Sequence, residues 1–190
     1  MTLVTEITPE QRIEHALAGD REACGQLYDA LAPAVRRFLR GLRLPLERQD
    51  VDDAVQETFL RLFRNLPNFD RSKSLRSYAL GIARYVAIDL IRRTPPRDVA
   101  DVNELASAGT TSEAASRSER RVLIEAALSA LDPELRSVIA LRHVSRMKMK
   151  DLAECLDVSA PTARARVREA SQCFAVELRR RGLVPEEVCA

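Results

Sequence analysis

The chain of 190 residues is 46% hydrophobic and 31% charged, a balance that permits a packed core and excludes wholesale disorder. Basic residues number 30 against 28 acidic ones, and a net charge of +2 is too small to drive duplex DNA binding by overall charge alone. The distribution matters more than the sum, because Arg92, Arg93 and Arg97 cluster in one place and Arg164, Arg166 and Arg168 in another.

Apolar residues recur at steps of three and four and glycine is scarce, so the pattern predicts an all-α protein. Thr8-Pro9-Glu10-Gln11 reads as a capping box opening the first helix. Asp20 caps a second, which Pro33 is expected to kink or restart. After a loop over 43–47 containing Pro45, a third helix runs from about Gln49 to Arg64. A second loop covers 66–73, and Ser74 caps a long helix reaching Arg93. From Thr94 to about Ser118 the composition turns to Pro, Asp, Asn, Ser, Thr, Gly and Ala, the signature of a flexible linker. A second helical block follows: about 119–130, then Asp132-Pro133-Glu134 capping a helix to about His143, a short helix over 149–156 and a last one over 160–181. The organisation expected is thus a helical domain over 8–93, a linker over 94–118, a second helical domain over 119–182 and a short tail over 183–190.

Cys24, Cys155, Cys173 and Cys189 are widely scattered, with no C-x-x-C pair and only His15 and His143 to assist, so reduced thiols are expected and no metal or cofactor. Scattered thiols fit a reducing cytosol. Neither a secretion signal nor a long apolar span is present, so the reading is cytoplasmic, with no membrane partner.

Residues 150–168 have the form of a DNA-reading helix-turn-helix. Leu152, Ala153 and Leu156 lie on the first helix, Val158 plugs the junction, and Ser159 caps the second helix with Pro161 in its first turn. At about 100° per residue, Ala163, Val167, Ala170 and Phe174 form a buried stripe. The opposite side presents Pro161, Ala165, Arg168 and Gln172, flanked by Thr162, Arg164 and Glu169, which is the face that would enter a major groove. Arg166 falls at the core edge and is expected to reach a phosphate or an internal partner.

In the third helix Val51, Val55, Thr58, Phe59 and Leu62 make the core stripe. The other side shows Gln49, Asp53, Gln56, Glu57, Leu60 and Arg64, an apolar residue among acids and amides. The helix from Ser74 to Arg93 is apolar nearly all round and must be central or covered. Tyr78 and Tyr85, with Asn68 and Phe69 before them, set aromatic and amide groups beside its basic end, a combination suited to single-stranded DNA. Tyr78 serves equally well as a core residue.

These stretches resemble a known family. Asp53-Ala-Val-Gln-Glu57-Thr-Phe59 is similar to the D-x-V-Q-E-x-F stretch of sigma factor region two, and residues 74–84 with 87–93 resemble its promoter-melting segment. Leu131 to Arg142 and the helix-turn-helix resemble sigma region four. Regions one and three have no counterpart, which is the mark of the extracytoplasmic-function group. The resemblance implies docking of Asp53, Gln56, Glu57 and Leu60 on the clamp helices of the largest subunit of core RNA polymerase, with the flap of the second-largest subunit as a further contact. It implies capture of a flipped base of the −10 promoter element by the 68–73 loop, with Asn68, Phe69, Lys73, Arg76, Tyr78 and Tyr85 at the site and Arg84, Arg92 and Arg93 on the backbone. Pro161, Thr162, Arg164, Ala165 and Arg168 would read the −35 element, the linker would follow the RNA exit path, and an anti-sigma protein would wedge between the two domains.

The chain departs from the family pattern at several points. Tyr78 stands where Trp is usual, Tyr85 where Asn is common, and Asp157 where the turn usually has Gly. Met147-Lys-Met-Lys precedes the helix-turn-helix in place of a Ser-Tyr-Glu-Glu type of run, and Glu169 and Ser171 occupy commonly basic places. Fewer basic groups should weaken isolated −35 binding. The alternative reading is a stand-alone helix-turn-helix regulator, but no ligand pocket or dimer helix is advertised. No phosphate loop or nucleophile–base arrangement suggests an enzyme.

Overall fold

The computed structural model of the protein describes residues 9–43, 48–93 and 112–183. The Thr8 cap, Pro45, most of the expected linker and the tail with Cys189 lie outside the described residues. Among those described every regular element is helical: α1 (Pro9–Leu17), α2 (Arg21–Gly41), α3 (Arg48–Asn65), α4 (Leu75–Arg93), α5 (Ser112–Ser129), α6 (Pro133–Ile139), α7 (Met149–Leu156) and α8 (Ala160–Arg180). A 3-10 turn over Leu66–Asn68 follows α3, and a π-helical turn over Ala140–Val144 extends α6.

Local chemistry sets the boundaries. The Asp20 carboxylate accepts from the backbone N–H groups of Glu22 (2.8 Å) and Ala23 (3.4 Å), satisfying orphan donors at the start of α2. Ser74 does the same for α4 through the Ser77 N–H at 3.3 Å, and Asp132 for α6 through the Glu134 N–H at 2.8 Å. Three expectations are corrected. Pro33 neither kinks nor restarts α2, which runs unbroken. It stands on the exposed side, while Leu31, Ala32, Val35 and Phe38 are buried on both sides of it, so packing outweighs one missing hydrogen bond. Helix α5 begins at Ser112 rather than near Glu119, because the Ser-Glu-Ala-Ala run is compatible with helix despite its polarity. The helix expected to reach His143 instead widens after Ile139, with the Ser145 N–H bonding the Ala140 carbonyl at 2.9 Å.

Helices α1 to α4 pack as one unit and α5 to α8 as another, and the two also pack on each other, α4 against α6 and α7 and α2 against the π turn. One continuous core results. It joins Val35, Phe38, Leu39, Leu62 and Leu80 of the first unit to Val138, Leu141, Met147, Leu152 and Leu156 of the second. Each such side chain, fully buried, contributes roughly 1.5–3 kcal/mol. Arg136 is a structural cation within the second unit, donating to the carbonyls of Ser129 (2.5 Å) and Leu131 (3.4 Å) at the end of α5. No described helix is long and apolar enough to cross a membrane.

Candidate nucleic-acid interface

Three surfaces collect the residues singled out in the sequence. The first is the outer side of α3. Val51, Val55, Thr58, Phe59 and Leu62 are buried as the periodicity requires, and Thr58 returns its hydroxyl to the Ala54 carbonyl at 2.7 Å. Their burial turns Asp53, Gln56 and Leu60 to solvent, with Glu57 half-buried beside them. Leu60 is 61% exposed, an unusual placement for leucine in the middle of a long helix. Arg61 holds Glu57 in place, its Nε 2.6 Å from the carboxylate, and lies 3.7 Å from Asp89 of α4. The neighbouring Asp52 is inward of this face. It pairs with Arg36 of α2 at 3.2 Å, and that hydrogen bond raises the pKa of the guanidinium further above its already high ordinary value.

The second surface is the outer side of α8. Asp157 adopts the left-handed conformation (φ 51°, ψ 49°) at the end of α7, the strained position where glycine is usual and which Asp tolerates better than most residues. The Ser159 hydroxyl then accepts the Thr162 N–H at 3.3 Å and lies 2.8 Å from the Thr162 hydroxyl. Ala163 and Ala170 are fully buried, with Val167 and Phe174 packed against the core. In consequence Pro161, Thr162, Arg164, Ala165 and Arg168 are all exposed together along the first two turns and beyond. Arg166 is half-buried at the core edge, close enough to Arg84 to disfavour its charge.

The third surface surrounds the loop before α4, and here the expectations are met unevenly. Asn68, Lys73 and Arg76 are exposed and line or flank a cleft of about 350 Å³. Tyr85 is 56% exposed at its edge and Tyr78 half-buried within it. Arg92 and Arg93 are exposed at the end of α4. Phe69 is not presented for stacking. It is buried with Ile13, Leu27 and Leu66, its ring 5.0 Å from that of Tyr78, because it anchors the loop to α1 and α2. Arg84 is not free for a phosphate either. It is 4% exposed, donating to the Ser137 hydroxyl at 3.0 Å and paired with Glu134, with its guanidinium 5.3 Å from the Tyr85 ring centre. Burial lowers its pKa below the ordinary arginine range without making it neutral.

The far wall of this cleft comes from the second unit: Glu154, Cys155 and Asp157. Gly41, Gly81, Glu134 and Ser137 were not marked as functional by the sequence, yet all four stand where the units meet. The signal available was a glycine inside each of two otherwise strong helical patterns, which implies a close approach by a neighbour.

Residues 27–95 match the profile of Sigma-70 region 2, and residues 121–173 that of Sigma-70, region 4. Over 170 residues the chain is 31% identical to the RNA polymerase sigma factor NccH of Alcaligenes xylosoxydans xylosoxydans, covering 85% of this chain and 89% of that one. The chain belongs to the extracytoplasmic-function group of the sigma-70 family. The ECF RNA polymerase sigma factor SigW of Bacillus subtilis is 22% identical over 186 residues, 92% of this chain and 98% of that protein. A solved structure of CnrH in complex with the cytosolic domain of CnrY superposes with a TM-score of 0.63 at 25% identity, covering 88% of this chain and 94% of that one. The activity of the chain is therefore that of a sigma factor, promoter-specific initiation with RNA polymerase, and the family is one of non-enzymatic initiation factors.

Proposed function

We propose a division of this work among the three surfaces. Asp53, Gln56, Glu57 and Leu60 dock on the clamp helices of core polymerase, and the second unit meets the flap. Leu60 supplies the apolar anchor and the surrounding acids and amides supply orientation. Asn68, Lys73, Arg76, Tyr78 and Tyr85 receive a base extruded from the −10 element, while Arg92 and Arg93 hold the backbone. Thr162, Arg164, Ala165 and Arg168 read the −35 element in the major groove, beside Pro161. The working modules are 8–93 and 119–182, joined by 94–118 and ending in the 183–190 tail. An anti-sigma protein is the expected regulator, and the cytoplasm the expected location.

The observation that carries this reading is the exposure of Leu60 amid Asp53 and Gln56, on a helix whose other side is fully packed. Such a patch serves a protein partner, which a stand-alone helix-turn-helix regulator does not need. The test is run-off transcription from sheared genomic DNA by sigma-free core polymerase, with and without the chain. Discrete transcripts that disappear with Leu60→Asp are expected. Their absence, with no co-elution with core, would leave the stand-alone regulator as the better account.

A further inference from the structure

We propose that the free chain holds itself closed, its second unit seated on the promoter-opening side of the first, and that docking on core polymerase must part them before a −10 base can enter. This rests on the reading of the 68–85 surface given above and adds its regulation.

Three contacts hold the units together, each with different chemistry. At the centre, α4 approaches α7 so closely that a Cβ on Gly81 would stand 3.0 Å from the Cys155 carbonyl oxygen, nearer than side chains ordinarily come to backbone. At one edge Val144 of the π turn covers Gly41, where an added Cβ would lie 2.6 Å from Val144 Cγ1. Between them Arg84 passes out of α4 into the second unit, reaching Ser137 and Glu134 of α6. A long cation buried at an interface is costly unless it is paired across it, so this pairing specifies one seating of the two units. The rim adds weaker contacts, Ser74 N–H to Glu154 at 3.4 Å, Arg76 to the Ser145 carbonyl at 3.4 Å and Arg43 to Glu125 at 3.1 Å.

The seating has a functional sense. The cleft that would receive a base is walled by Glu154, Cys155 and Asp157 of α7 and its turn, and Lys73 lies 3.9 Å from Asp157. Two carboxylates thus stand where a nucleic-acid backbone would need none. Arg84, a candidate backbone contact, is occupied by the protein itself. The outer face of α8 meanwhile stays exposed. Closure therefore blocks −10 capture while leaving −35 reading chemically possible. Residues 94–111 connect the units, and 18 residues can span up to roughly 60 Å when extended, so opening requires no unfolding.

The experiment follows a donor–acceptor dye pair, placed through unnatural amino acids at Arg21 and Arg179, in the full chain. It is read free and with sigma-free core polymerase, beside run-off transcription. Two variants open the interface from independent points. Glu134→Arg sets a like charge against Arg84, and Gly41→Leu pushes Val144 away. Glu134→Gln serves as the mild control, and circular dichroism verifies helix content. The free wild type should give one short-distance population, core should convert it to a long one, and both opening variants should populate the long distance without core. Half-saturating core concentration should fall by up to about tenfold in those variants, if the open form is near a tenth of the free wild type. A wild type already long when free, or one that stays short on core while transcribing, overturns the proposal. Opening by core without any transcripts would leave closure standing and sink the functional reading instead.

Discussion

Two neighbouring helices carry surfaces meant for partners, and the chain treats them oppositely. Helix α3 turns Leu60 to water with nothing over it, whereas α4 sends Gly81 and Arg84 under the second unit. The difference lies in composition. The outer side of α3 is acid and amide around a single leucine, and water solvates it at little cost. Helix α4 is apolar nearly all round, so one of its sides must find cover, and the second unit supplies it. A surface of the first kind is available to a partner at every encounter. One of the second kind is available only after something else has been displaced.

The sharpest way to separate the two is through Cys155, which lies on the covering side. Burial pushes its thiol up to about 12 from an ordinary 9.0, a change of about three units, so at pH 8 its thiolate population should be roughly a thousandfold below that of an open thiol. Alkylation followed by peptide mass mapping should find Cys155 slowest in the free chain and accelerated by Glu134→Arg. An ordinary rate in the free chain would break the comparison. Next come two leucines. Leu80 of α4 is fully buried, and Leu80→Ala should cost about 2–5 kcal/mol in denaturant unfolding. Leu60→Asp should leave stability within about 0.5 kcal/mol and weaken core polymerase binding by roughly 30-fold or more. Smaller effects belong to the helix-turn-helix. Ser159→Ala removes the α8 cap and should cost about 1 kcal/mol in thermal unfolding. Asp157→Gly relieves a left-handed residue whose carboxylate makes only a long exposed contact to Lys73, and should stabilise by up to about 1 kcal/mol.

The sequence made the helices and the α3 and α8 faces legible because both depend on local quantities, the spacing of apolar residues and the identity of the caps. Ser74, Asp132 and Ser159 each cap a helix as their positions suggested. The fates of Phe69 and Arg84 were not legible. An aromatic or an arginine near a basic helix end reads the same whether it faces DNA or another part of the chain. Only tertiary packing decides, through Leu27 and Leu66 for one and Ser137 and Glu134 for the other. The π turn was hidden for a related reason, since its sequence Ala-Leu-Arg-His-Val is unexceptional for an α-helix.

That turn bears on how the protein can change by inheritance. A π-helical turn accommodates one residue more than the α-helical turn it replaces, and here the surplus aims Val144 at Gly41. Loss of a single codon within 140–144 would restore regular helix, swing Val144 by about 100° and leave Gly41 facing a gap. Grip between the two units is thus open to adjustment by insertion and deletion, a route that leaves every DNA-facing and polymerase-facing side chain as it was.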